Sequence, residues 1–114
     1  MTKPVIVDDA ALRELERGAR WYDQERAGLG DELVDKVDAI FDALPTGKLH
    51  ALRIPGLSSE PPVRRVFVER FPYAVIFAET DTAFHVVAVA HSKRRPCDWR
   101  GRLKRALRTA PKKP

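Results

Sequence analysis

The chain has 114 residues, 44% hydrophobic and 32% charged, with a formal net charge of +5, the profile of one small soluble domain with a single core. No apolar run nears the roughly 20 residues needed to span a bilayer, and the start reaches Asp8-Asp9 before a signal-peptide core could form, so a cytoplasmic protein without membrane contact is expected. Cys97 is the single cysteine, which excludes an internal disulfide, and the scattered His50, His85 and His91 show no metal-ligand spacing; neither metal nor cofactor is expected.

Val5-Ile6-Val7 reads as a short first strand, stopped by Asp8-Asp9, either of which can cap a helix. Leu12, Leu15, Ala19 and Tyr22 recur at helical spacing and predict an amphipathic helix to about Arg26, with Arg13, Glu16, Arg17 and Arg20 pointing elsewhere. Gly28-Leu29-Gly30 breaks it. A second helix is expected from about Asp31 to Leu44 on the stripe Leu33, Val34, Val37, Ile40, Phe41 and Leu44, ended by Pro45 and Gly47. So short a break favours an antiparallel helical hairpin.

Residues 45–62 are rich in proline, glycine and serine and form the longest irregular connection, within which Ala51–Ile54 is either a brief strand or a packed loop. Three strands follow, Val63–Val68, Tyr73–Ala78 and Phe84–Ala90, the last two joined by the turn Thr80–Ala83. The fold class is therefore α+β: an N-terminal strand, then a helical hairpin whose apolar side covers one face of a small, mostly antiparallel sheet. Residues 1–100 form the single domain. Residues 101–114 form a basic tail, in which Leu103 and Leu107 at i, i+4 allow a short helix from Trp99, while 110–114 reads as disordered.

Charge is unevenly placed. Residues 91–114 hold Lys93, Arg94, Arg95, Arg100, Arg102, Lys104, Arg105, Arg108, Lys112 and Lys113 against Asp98 alone, whereas 8–44 is rich in Asp and Glu. Such polarity suits nucleic acid or an acidic protein surface, and equally a solubilising tail. No phosphate-binding glycine loop and no Gly-x-Ser-x-Gly elbow occurs.

Ala19-Arg20-Trp21-Tyr22, Gly28-Leu29-Gly30, Val63-Arg64-Arg65-Val66, Arg70-Phe71-Pro72-Tyr73, and Ala88-Val89-Ala90-His91 followed by Arg94-Arg95-Pro96 and Trp99 occur in an order and spacing that resembles the ParE/RelE superfamily of bacterial type II toxins, often called plasmid-stabilisation proteins. The resemblance covers about residues 5–100. It implies a RelE/ParE-like fold and a toxin that inhibits growth until a cognate antitoxin neutralises it. RelE-like members are ribosome-dependent mRNA endonucleases that place an arginine after the central-strand tyrosine and a tyrosine late in the chain. Ala74 and Trp99 stand in those places here, and methyl and indole groups cannot steady a phosphate as guanidinium and phenol do. ParE-like members bind and poison DNA gyrase without the nuclease set, and this chain looks closer to them. A decayed, non-toxic member is the third reading, so whether the protein is an enzyme stays open.

On the nuclease reading, Arg65 and His91 are the candidate catalytic residues, the first to hold phosphate and the second as acid or base. On any reading, Arg64, Arg65, Arg70, Lys93, Arg94, Arg95 and Trp99 are the candidates for contact with a partner or nucleic acid, the partners implied by the resemblance being the antitoxin and either gyrase or the ribosome with its mRNA. Alternation along Val63–Val68 sets Arg65 opposite Val66 and Val68, on the side away from the helices, and Arg64 toward the helix side near its rim. The plainer alternatives are an Arg65–Glu69 surface pair, a strand-end role for His91 and a solvated turn for Lys93–Arg95. Trp21, Tyr22, Phe71, Tyr73 and Trp99 read as packing residues, with a stacking role kept open for Trp99 because it follows the cationic turn.

Overall fold

The computed structural model describes residues 3–54, 61–92 and 99–109. Strand β1, Val5–Val7, stops at Asp8, whose carboxylate accepts a hydrogen bond from the Ala10 backbone N–H at 2.9 Å and caps helix α1, Asp9–Glu25. Ala11, Leu15 and Gly18 are the buried stripe of α1, with Tyr22 packed against the same core. The expected stripe is corrected at its start: Ala11 turns inward, and Leu12 lies on the exposed flank.

Helix α2, Leu29–Ala43, begins two residues before the expected Asp31. Gly28 alone makes the turn, at φ +91°, a conformation that costs glycine nothing. Gly30 does not break the chain; it lies inside α2 where the two helices touch. A Cβ there would lie 2.2 Å from the Ala19 carbonyl oxygen, and its N–H donates to Asp23 Oδ1 at 2.7 Å. After α2, a single 3-10 turn over Leu44–Thr46 takes in Pro45 and ends at Gly47 with φ +69°.

The remaining strands are β2 (Leu52–Arg53), β3 (Val63–Phe67), β4 (Tyr73–Glu79) and β5 (Phe84–His91). They form one five-stranded sheet in the order β1-β5-β4-β3-β2, with β1 parallel to β5 and every other pair antiparallel. The stretch around Ala51–Ile54 is thus a strand at the sheet edge, and β3 ends one residue before Val68. The register of β4 against β5 shifts between Ile76 and Phe77, which face Ala88 and Val86 respectively, leaving Val87 as the extra residue of a bulge. Val87 and Ala88 consequently point to the same face.

The two faces carry separate cores. On one, Val66, Val75, Phe77, Val86 and Val89 pack against Leu15, Leu33, Val37 and Ile40 of the helical hairpin. On the other, Val63, Ile76, Ala78, Val87 and Ala88 pack against Trp99 and Leu103 of helix α3, Trp99–Thr109. The expectation of a sheet covered on one face is therefore corrected. A domain boundary at 100/101 would fall inside α3, whose Leu103 is 8% exposed and part of the core. A sheet with β4 buried along both sides leaves two apolar faces to cover, and the Leu103/Leu107 stripe supplies the second cover.

Candidate functional site

The paired arginines of β3 diverge. Arg64 lies opposite Phe77 on the hairpin side and lines a concavity with Lys3, Pro62, Glu79 and Asp81 where β3 begins and β4 ends. Arg65 lies opposite Ile76 and Leu52, on the face that α3 partly covers, as alternation from Val66 requires. Its guanidinium stands 5.0 Å above the Phe67 ring, and its buried Nε has no hydrogen-bond partner among the described residues. The alternative pairing with Glu69 is not present among the described ion pairs. Phe67 itself is 51% exposed, so Arg65, Phe67 and Leu52 make an open cationic-apolar patch.

His91 ends β5 opposite Tyr73, with the two rings edge to face at 5.1 Å. Tyr73 belongs to the hairpin-side core, so His91 faces the opposite way from Arg65. It lines a concavity of about 470 Å³ between α1 and the end of β5, together with Arg17, Gly18, Arg20, Trp21, Gln24 and the aromatic ring of Tyr73. Gly18 is needed at that wall, since a Cβ would lie 2.7 Å from the Tyr73 hydroxyl. The structure thus does not bring Arg65 and His91 together. Ile76 lies three residues along β4 from Tyr73, so Arg65 and His91 are separated by about 10 Å along the strands and about 10 Å across them, on opposite faces.

Arg70 is exposed in the β3–β4 turn and adopts φ +70°, the one non-glycine residue with positive φ among those described. Trp99 is 7% exposed and packs into the second core, with the Arg100 guanidinium 5.5 Å over its ring; it offers no free stacking face. Lys93, Arg94 and Arg95, and the neighbouring Cys97, lie outside the described residues. Arg100, Lys104, Arg105 and Arg108 form the exposed face of α3. No group of histidine, cysteine and carboxylate residues able to hold a metal occurs among the described residues, and no helix is long and apolar enough to cross a membrane.

Two features escaped the sequence. Arg102, expected on the solvated face of the tail, is tied down: its Nη1 donates to Glu14 Oε1 at 2.8 Å and to the Val87 carbonyl at 3.1 Å. Arg17, Arg20 and Trp21, read as surface and packing residues, line the concavity that holds His91. The i, i+3, i+4 spacing of the three was visible, but not the strand end they face.

No protein-family profile matches the chain, and no curated protein does. One solved chain, from the chromosomal ParDE TA system of P. aeruginosa, superposes with a TM-score of 0.57 at 16% identity, over 81% of this chain and 98% of that one. At that identity the likeness is one of fold: this chain is an α+β domain with a ParDE-like fold.

Proposed function

We infer that the protein is the toxin of a bacterial type II toxin–antitoxin system, held inactive by a cognate antitoxin and acting, in the ParE-like manner, by blocking DNA gyrase. The observation that carries the toxin reading is the fold shared, over 81% of this chain, with a chain of a ParDE system. What supports a binding mechanism over cleavage is the placement of Arg65 and His91 on opposite faces, with Ala74 buried where a nuclease of this kind would carry a phosphate-holding arginine. A binding inhibitor needs surface shape and charge instead. The exposed cations of α3, which follow Lys93–Arg95 in sequence after Pro96-Cys97-Asp98-Trp99, supply a basic surface on a packed helix.

The deciding experiment induces the full chain in a bacterial host and maps RNA 5′ ends within minutes, alongside supercoiling by purified gyrase. Growth arrest with intact messages and inhibited supercoiling is expected. New 5′ ends at codon-periodic positions in translated messages would establish the ribosome-dependent nuclease instead, and absence of arrest would count for a non-toxic member of the fold.

A further inference from the structure

We propose that the concavity between α1 and the end of β5 is a binding site for a 5′-phosphorylated nucleotide, its base stacked on Trp21 and its phosphate held by Arg17 and Arg20. The inference does not rest on the toxin reading, which concerns the opposite, α3-bearing side of the sheet.

Three observations meet at this place. First, Trp21 is 48% exposed, although an indole is among the most favourable groups to bury. It has packing on one side: Tyr22 lies perpendicular to it with ring centroids 4.9 Å apart, and Tyr22 in turn packs edge to face on Phe71 at 5.1 Å. A half-exposed indole backed by a packed tyrosine offers a face on which a base can stack.

Second, Arg17 and Arg20 are exposed and form no ion pair among the described residues. They lie at i and i+3 on α1, with Trp21 and Gln24 completing the i, i+3, i+4, i+7 face. Two guanidiniums so spaced can each present a fork of donors to one phosphate.

Third, the carboxylate in the wall of the concavity has been neutralised. Glu14 accepts from Arg102 at 2.8 and 3.4 Å and from the Val89 N–H at 3.1 Å. Its charge is therefore spent internally, and the field that remains in the concavity is that of the arginines, with His91 at the rim. The volume of about 470 Å³ lies in the range of small-ligand sites. A nucleotide matches because it joins a flat π-surface to a dianion. Gln24 adds a carboxamide able to meet a base edge with both donor and acceptor.

The test titrates the full-length protein with AMP and follows tryptophan emission. Trp99 is buried, so a ligand-dependent change reports Trp21, and Trp21→Phe should abolish it. Saturable quenching is expected, with adenosine and inorganic phosphate each binding at least about tenfold more weakly, since each lacks one half of the recognition. Arg17→Gln with Arg20→Gln should weaken AMP about a hundredfold through the loss of two charge-assisted contacts. Both are exposed helix positions, so an unchanged circular-dichroism melt separates this from misfolding. A 5′-phosphorylated oligonucleotide that binds better than AMP, and better than its 5′-hydroxyl form, would identify the ligand as a strand end instead of a free nucleotide. The proposal falls if neither AMP nor the phosphorylated oligonucleotide binds saturably, if the double arginine variant binds as well as the parent, or if an acidic peptide without phosphate occupies the site in their place.

Discussion

Glu14 and Arg102, 88 positions apart in the chain, meet at 2.8 Å beside the stretch of β5 beyond Val86, where the edge facing away from β4 has no strand partner among the described residues. Strand β1 pairs with β5 only as far as Val86, where Asp8 N–H donates the last bond to the Val86 carbonyl. Beyond it the bulge at Val87 turns the Val87 carbonyl and the Val89 N–H outward. Arg102 donates to the first and Glu14 accepts from the second. An unpaired strand edge is a template for unwanted pairing, and here a carboxylate from α1 and a guanidinium from α3 close it side by side. The pair thereby ties the two covering helices to the sheet from opposite faces.

Removing one partner should therefore cost more than removing both. Both side chains are mostly buried, so Arg102→Met or Glu14→Gln alone is expected to lose about 3 kcal/mol in urea unfolding by leaving a charge or a strand-edge group without its partner. The double variant should recover part of that loss. A single Arg102→Met variant with an unchanged unfolding midpoint would show that the pair holds nothing together.

Gly30 tests the helical hairpin. Its missing Cβ leaves room for the Ala19 carbonyl, which sits 2.2 Å from where the carbon would be, a backbone clash that no rotamer relieves. Gly30→Ala should destabilise by about 3 kcal/mol despite alanine's better helix propensity. Gly47→Ala, where nothing lies within 4 Å but φ is +69°, should cost about 1 kcal/mol by backbone strain alone. Equal losses at the two sites in thermal melts would refute the contact at Gly30.

These contrasts mark what could be read from the chain. The order of elements, the face shared by Val66 and Val68, and the orientation of Arg65 followed from periodicity, because periods of 2 and 3.6 are local properties. Gly28 and Gly30 looked alike as helix breakers, since one glycine supplies a positive φ and the other an absent side chain, and composition does not distinguish the two. Ala11 and Leu12 likewise exchanged places because either begins a plausible stripe. Arg102 looked like one more tail cation. Its burial depends on Glu14, which only the tertiary fold brings near, and the bulge that creates its second acceptor carries no glycine to announce it.

His85 should make the fold sensitive to acid. It is 4% exposed on the second face, with Nδ1 unpartnered among the described residues and Nε2 3.4 Å from the Thr80 hydroxyl. Burial pushes its pKa below the ordinary 6.5. The unfolded chain then takes up a proton that the folded chain resists. Stability is full above about pH 6.5 and falls as pH drops through that value toward the lower folded pKa, by at most about 1.4 kcal/mol per pH unit. His85→Gln keeps a donor for Thr80 and cannot titrate, so its unfolding free energy should decline less between pH 7 and pH 5 than the parent's. Parallel pH profiles would remove His85 as the cause.

Arg70 holds a left-handed backbone at φ +70° in an exposed turn, a conformation that costs an L-residue about 1 kcal/mol. Arg70→Gly should relieve this strain, offset in part by the extra freedom of glycine in the unfolded chain, leaving a gain of about 0.5 kcal/mol. If the guanidinium contacts the target, the same substitution should lower toxicity while raising the melting temperature, a combination that loss of folding cannot produce. A lower melting temperature would show that the turn needs the arginine side chain itself.

Arg65 and His91 separate the two mechanisms most sharply. Cleavage would require both, one to hold phosphate and one to move a proton, and they lie on opposite faces of the sheet. With a gyrase-blocking mechanism, His91→Gln should leave growth arrest within about twofold of the parent, because no proton transfer is involved. Reversing Arg100, Lys104, Arg105 and Arg108 to glutamate should abolish it through lost electrostatic attraction, with the fold retained by Trp99 and Leu103 beneath. Dose–response curves of colony formation against inducer, read beside melting temperatures, give both numbers. Loss of toxicity on His91→Gln with the α3 variant still toxic would reverse the assignment and place the working surface at the hairpin side of the sheet.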